Sequence, residues 1–302
     1  MNWVIHNSPA DQVDSKIDKG EIILQIDGKT INSGINPAAI LDVIENREVQ
    51  LTIQSNQKTK RTVVIRAIRY DQARNLLYEQ WVNYNQKIVE NLSNSRLGYV
   101  YIRRMGWSSF GRFEKGVYEI RFGKDALVID VRNNRGGFTT DHLLTMLTQR
   151  IHAITSVRNS EPGYPKGRRI YATWHKPIVV LCNQNSTSNA EIFSHAIKTL
   201  ERGQLVGMPT AGNVISTTRK QIVDVGVLRL PFRGWFLAKT GQDMELNGAI
   251  PDHMVGLSPS KQVEGNDAQL EKAVQVFPRE LEANQDLPIP PRFSSERHKK
   301  KK

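Results

Sequence analysis

Pro177-Ile178-Val179-Val180-Leu181-Cys182, followed by Asn185-Ser186-Thr187-Ser188-Asn189-Ala190-Glu191-Ile192-Phe193, sets the architecture of this chain. The apolar run reads as a buried strand, and the segment continuing to about Gly203 has helical spacing. A strand that turns through Ser and Asn into a helix presents a serine hydroxyl beside backbone N–H groups that the helix leaves unpaired. Those are the parts of acyl transfer: a nucleophile and donors for a developing oxyanion. The same residues serve equally as a helix cap, since Ser and Asn are good N-caps. Taken alone, the segment leaves both readings open. Cys182, the single cysteine, lies inside the apolar run and reads as a small core residue; its being alone excludes an internal disulfide.

On the N-terminal side, Gly98-Tyr99-Val100-Tyr101-Ile102 reads as a strand, 110–120 as a helix, Ala126-Leu127-Val128-Ile129-Asp130-Val131 as a buried strand, and 143–151 as a helix. Strands alternating with helices imply crossover units and a mainly parallel sheet, so the fold class is α/β. Residues 205–236 turn strand-rich. Residues 67–95 read as a helical connector, with Leu76, Leu77, Trp81 and Val82 as a partial apolar stripe. Residues 1–66 make a small β-rich module. Within it Ile22-Ile23-Leu24-Gln25-Ile26 is a strand, Asp27-Gly28 a hairpin turn, and 37–44 a helix capped by Asn36 with Pro37 in its first turn. Strands at 49–53 and 62–65 complete the module. Residues 276–302, with Pro288, Pro290 and Pro291 ahead of a basic end, read as a disordered tail.

The chain has 302 residues, 39% of them hydrophobic and 24% charged, which suits a globular protein with ample core. No run of about 18 apolar residues marks a membrane span, and the first residues lack the basic flank and apolar stretch of a signal peptide. The net charge of +12 is concentrated in part at Arg297 and 299–302. A basic tail can hold nucleic acid non-specifically, but no RNA-binding signature accompanies it, and it reads as a solvated end. No His, Cys or Asp cluster has metal-ligand spacing, so no metal or other cofactor is expected.

Three separated pieces carry the chemistry. Asp130-Val131-Arg132-Asn133-Asn134-Arg135-Gly136-Gly137-Phe138 places two glycines after a buried strand, where main-chain N–H groups can approach a ligand, with a helix beginning near Thr139–Thr140. Ser188 with Asn189 is the second piece, and Gly241–Asp252, containing Glu245, is the third. Each alone has a bland counterpart: a tight turn, a cap, an exposed carboxylate.

The order of these motifs resembles the C-terminal processing (tail-specific) serine peptidases, most closely their tricorn branch. The early module, through Lys19-Gly20-Glu21-Ile22-Ile23-Leu24-Gln25-Ile26-Asp27-Gly28, looks like the later part of a PDZ domain. Residues 96–275, carrying Gly207-Met208-Pro209-Thr210-Ala211-Gly212-Asn213 and Asn247-Gly248-Ala249-Ile250-Pro251-Asp252, look like the catalytic domain. The resemblance implies a ClpP/crotonase-like core and a serine endopeptidase acting on peptides or unfolded protein. It implies Ser188 as nucleophile, the N–H groups of Gly136 or Gly137 and of Asn189 as the oxyanion hole, and Glu245 as the carboxylate that orients the base.

Two departures qualify this. Bacterial processing peptidases use a lysine base about 25 residues after the serine; Asn213 stands there, and an amide takes no proton at neutral pH. The tricorn type uses a histidine from upstream of the PDZ domain, so the base is expected from an upstream part of the same protein. Among internal histidines, His195 lies seven residues after Ser188, roughly 10 Å along a helix. His142 is expected on a helix surface, and His175 and His253 in loops, His253 being the best internal alternative. A homo-oligomer is expected by resemblance, and the cytoplasm as compartment, or the periplasm if a leader precedes the chain. The second reading is a non-catalytic module that captures chain ends through a PDZ-like edge.

Overall fold

The computed structural model describes residues 3–283 apart from 33, 38–39, 41–46, 56, 121–122 and 150–172. The chain divides into two compact units, Met1–Tyr84 and Asn85–Lys302.

In the first unit, the strands β1 (Ile22–Ile26), β2 (Lys29–Thr30), β3 (Glu48–Gln54) and β4 (Lys60–Arg66) form an antiparallel sheet of order β2-β1-β3-β4. Asp27 and Gly28 join β1 to β2 with φ of 48° and 76°, the doubly positive turn whose twist matches that of paired strands. Alternation decides which face is buried: Val49, Leu51 and Ile53 of β3 point inward with Ile17, Ile26 and Val63. The helix expected over 37–44 lies largely outside the described residues.

Helix α1 (Tyr70–Leu92) follows. Its expected apolar stripe is only half-buried at Leu76, Leu77 and Val82, and Trp81 is exposed; its buried side chains are Asn85 and Val89. Among the described residues no helix is long and apolar enough to cross a membrane.

The second unit is built on β5 (Leu97–Tyr101), β6 (Ala126–Asp130), β7 (Ile178–Cys182), β8 (Gln204–Gly207) and the two-residue β11 (His253–Met254). All four pairings are parallel, in the order β11-β8-β7-β6-β5. Helices α2 (Trp107–Ile120), α3 (Thr140–Thr148) and α4 (Asn189–Thr199) fill the connections between β5, β6, β7 and β8. Phe113 and Val117 of α2, Leu143 and Met146 of α3, and Phe193 and Ile197 of α4 pack on the face that carries Leu127, Ile129, Ile178 and Val180. The strands are buried on both sides, which is why β6 and β7 read as continuous apolar runs rather than alternating ones.

Among the described residues, strands β9 (Ser216–Ile222) and β10 (Gly226–Arg233) pair only with each other, as a ribbon exposed along most of its length. The short helix α5 (Pro259–Val263) leads to α6 (Ala268–Ala283), which lies against β6, β7 and β8. Leu270, Ala273 and Phe277 of α6 are buried. The expected tail from 276 is therefore corrected: the apolar period of α6 carries the fold through Phe277, and the helix runs to Ala283. Residues 284–302, including the basic run, lie outside the described residues. His253 is likewise in a strand, not a loop.

Candidate active site

Parallel neighbours end at the same edge, so the loops leaving β6 and β7 meet there. Asp130 is in register with Leu181, and the Val131 N–H donates to Leu181 O (2.9 Å). Asn134 joins these loops. Fully buried, it donates from Nδ2 to Ile102 O (2.7 Å) and accepts the Gly136 N–H at Oδ1 (2.9 Å), while its carbonyl accepts the Thr187 N–H (2.9 Å). Ser186 ties the same loops from the other side, its Oγ donating to Val131 O (2.9 Å).

Gly136, Gly137, Ser188 and Asn189 converge on this edge. A Cβ on Gly136 would stand 2.7 Å from Ser188 Cβ and 2.9 Å from the Asn189 nitrogen, so only glycine lets the two turns meet. At Gly137 a Cβ would collide with Met105 O at 1.8 Å; here the loop presses against the chain ahead of α2. The Gly136 N–H is spent on Asn134, which corrects its expected part in the oxyanion hole. No partner among the described residues takes the N–H of Gly137 or of Asn189, the first residue of α4. Both donors stay open where the two turns meet.

Ser188 is half-buried and holds φ 56° and ψ −125°, a conformation costly for a residue with a side chain and one that recurs at functional turns. Its backbone is fixed by a shared N–H, donated to Glu191 Oε1 (2.9 Å) and Asn213 O (2.9 Å). Asn189 is fixed by α3: its Oδ1 accepts the Thr140 N–H (3.0 Å) and its carbonyl accepts Thr140 Oγ1 (2.7 Å).

Glu191 was not singled out from the sequence, although its place three residues after Ser188 is that of a capping-box glutamate. It is fully buried. Besides Ser188 it accepts the N–H of Asn213 at Oε1 (2.8 Å), and Thr210 Oγ1 (2.8 Å) and the Gly212 N–H at Oε2. The carboxylate thus gathers 210–213 against the serine turn. Glu245 is one step farther along: Leu246 N–H donates to Gly212 O (2.8 Å), and Glu245 Oε2 accepts the N–H groups of Val214 (2.6 Å) and Ile215 (2.9 Å). Its Oε1 has no partner among the described residues.

Three internal histidines among the described residues have other partners. His195 Nε2 meets Asn247 O (3.1 Å), and desolvation lowers its pKa. His253 Nε2 meets Gln204 Oε1 (2.7 Å) at the start of β8, the sheet edge opposite Ser188. His142, on α3, packs against Trp107 with ring centroids 4.7 Å apart. Cys182 is fully buried, and burial pushes its thiol up to about 12, which removes it as a nucleophile. Behind the loops, Arg132 is held between Asp130 (2.7 Å) and Asp267 (2.8 Å); burial opposes its charge, but the two carboxylates keep the guanidinium protonated. Among the described residues no group of three or more His, Cys, Asp or Glu is placed to hold a metal.

The sequence pattern of peptidase family S41 matches residues 96–255, and that of the tricorn protease PDZ domain matches residues 5–70. The chain belongs to peptidase family S41. The S41 match spans both turns and the Glu245 loop. The chain is 28% identical over 267 residues to the tricorn protease of Thermoplasma volcanium, covering 88% of this chain and 25% of that one. It is 29% identical over 275 residues to the tricorn protease homolog of Saccharolobus solfataricus, covering 91% and 25%. The crystal structure of the tricorn protease superimposes with a TM-score of 0.77 at 26% identity, over 91% of this chain and 26% of its own. This S41 chain therefore spans about a quarter of the length of the relatives it matches.

Proposed function

We propose that this chain is the catalytic portion of a serine endopeptidase. Ser188 Oγ attacks the scissile carbonyl, whose oxygen gains charge facing the N–H groups of Gly137 and Asn189. Donors of this kind are each worth about 10²–10³ in turnover. The proton leaves Ser188 for a base, which returns it to the departing amine; water then cleaves the acyl-enzyme. Glu245, anchored through Oε2, turns Oε1 toward that base and orients it. The base comes from polypeptide outside this chain, in keeping with the share of its relatives that the chain spans and with the engagement of His195 and His253 elsewhere. Peptides or unfolded protein are the substrates, and the exposed β9–β10 ribbon supports self-association, because an isolated two-stranded ribbon gains stability from a covering surface.

The observation that carries this reading is the pair of open N–H groups beside a strained serine. A purely structural cap has no use for either, and a binding module that works through its PDZ-like edge needs neither.

Treatment with a fluorophosphonate, with and without added imidazole as a surrogate base, tests it. Modification at Ser188, mapped by mass spectrometry and accelerated by imidazole, is expected, together with imidazole-dependent hydrolysis of an activated peptide ester that Ser188→Ala abolishes. Absence of any adduct on Ser188 under both conditions, with the protein folded, overturns the assignment.

A further inference from the structure

Three exposed or half-exposed rings stand next to the open donor at Gly137. Trp107, the first residue of α2, is 56% exposed, and Phe138 is 59% exposed. They meet edge-to-face with centroids 5.6 Å apart. His142 on α3 meets Trp107 at 4.7 Å. Phe110 is buried beneath them, 5.9 Å from Trp107 and 5.7 Å from His142, and supports both rings from below. Large aromatics scattered singly on a surface mean little, but a contiguous group on a fixed base is characteristic of a contact site.

Main-chain bonds lock this group to the serine turn. Phe138 follows Gly137 directly, and its N–H donates to Met105 O (2.7 Å), while the Met105 N–H donates to Gly136 O (3.0 Å). Met105 and Trp107 therefore move with the glycine loop. On the other side, Thr140 makes two bonds to Asn189, and His142 lies two residues beyond it. A substrate with its carbonyl oxygen between the Gly137 and Asn189 N–H groups is extended, at about 3.3 Å per residue with side chains alternating in direction. Phe138 adjoins one of those donors in the chain, and Trp107 contacts Phe138.

We propose that Trp107, Phe138 and His142 form a substrate-binding platform that takes an apolar or aromatic side chain flanking the scissile bond. This rests on the peptidase reading of Ser188. Ring faces also attract cations; the exposed Arg103, Arg104 and Arg135 flank the platform in sequence on one side and the exposed Asp141 on the other, so a lysine side chain is the competing occupant that the test includes. The exposed parts of Trp107 and Phe138 offer an aromatic side chain further ring contact of the kind such pairs favour.

The test is direct binding to the full chain carrying Ser188→Ala, which separates recognition from turnover. Blocked hexapeptides identical except at one position, occupied by Phe, Leu, Lys or Glu in turn and scanned along the peptide, are titrated by calorimetry. At one position Phe and Leu are expected to bind about tenfold more tightly than Lys and Glu, from burial and ring contact. Adding Trp107→Ala is expected to erase that preference while changing the Lys and Glu peptides less than about twofold, and Trp107→Phe to retain part of it, since a smaller ring buries less area. Circular dichroism and melting temperature verify that each variant is folded. A preference for Lys or Glu, or an apolar preference untouched by Trp107→Ala in the folded variant, overturns the platform. Fluorophosphonate modification of Ser188 in the otherwise unaltered chain is read in parallel. Modification without apolar preference refutes the platform alone, whereas no modification refutes the peptidase reading.

Discussion

Gly136→Ala is expected to slow the chemistry of Ser188 far more than it unfolds the protein, and Gly123→Ala is its control. The two glycines share nearly the same backbone, φ +78° and +79°. An alanine at either pays the left-handed cost of about 1–2 kcal/mol. They differ in what the new methyl meets. At Gly123 there is nothing within 4 Å; at Gly136 there are Ser188 Cβ at 2.7 Å, Thr187 O at 2.8 Å and the Asn189 nitrogen at 2.9 Å. Comfortable contact begins near about 3.5 Å, so the serine turn and the glycine loop must part by close to 1 Å. Crowding of this kind adds about 1–3 kcal/mol.

The turn is not free to yield along one soft direction. Thr187 is bonded to Asn134, Ser188 to Glu191 and Asn213, and Asn189 to Thr140. Whatever gives way, the distance between Ser188 and the Gly137 N–H changes, and a displacement of about 1 Å in a reacting geometry costs about 10²-fold in rate. Gly123→Ala is thus expected to lose about 1–2 kcal/mol in urea unfolding with an unaltered rate of imidazole-assisted fluorophosphonate modification. Gly136→Ala is expected to lose about 2–5 kcal/mol and, where still folded, to react about 100-fold more slowly. Equal modification rates for the two folded variants would refute the claim that Gly136 exists to let the turns meet.

Glu191→Gln keeps the shape of the side chain but turns one acceptor into a donor facing buried N–H and hydroxyl groups; urea unfolding is expected to show a loss of about 2–4 kcal/mol. For His195 the folded pKa lies below the ordinary 6.5 because burial penalises the imidazolium. The unfolded chain therefore binds more protons just below pH 6.5, so this contribution is complete above that pH and declines as pH falls toward the folded pKa. His195→Gln should flatten that part of the stability–pH curve. Cys182, with its thiol near 12, is expected to resist a disulfide reagent in the native protein at pH 8 and to react fully in denaturant. Asn213→Lys should install a weak internal base: an exposed lysine keeps a pKa of about 10.4, so modification of Ser188 without imidazole should rise about tenfold per pH unit between 7 and 9.

In the parallel sheet β5, β6 and β7 were legible because each is a short apolar run followed by a helical period, and local pattern is enough to recognise that alternation; the two-residue β11 carries no such run. The Asp27-Gly28 turn was legible for the same local reason. The partners of Asn134 were not: Ile102 and Thr187 lie 32 and 53 positions away, and nothing in the run Asn133-Asn134 tells which amide is buried. The ribbon β9–β10 read correctly as strands, but whether strands continue a sheet or stand apart depends on pairing, which composition does not encode. At residue 276 the Pro-rich composition farther on sets the expected boundary too early; Val276 and Phe277 continue the period of α6, and that apolar spacing carries the packed chain at least through Phe277.

Asn213 shows where reading side chains falls short. In the sequence its importance was negative, an amide where other processing peptidases carry a lysine. In the structure its main chain holds the serine turn from both sides: its carbonyl accepts the Ser188 N–H, and its own N–H donates to Glu191, which also accepts from Ser188. Four atoms of three residues close a loop that fixes the strained φ of Ser188, and none of them belongs to the Asn213 side chain. A change from lysine to asparagine at this position therefore removes a base without loosening the nucleophile. The proposed mechanism uses that separation: the serine turn and the open N–H groups keep their geometry with no base at position 213, and the base is proposed to come from elsewhere.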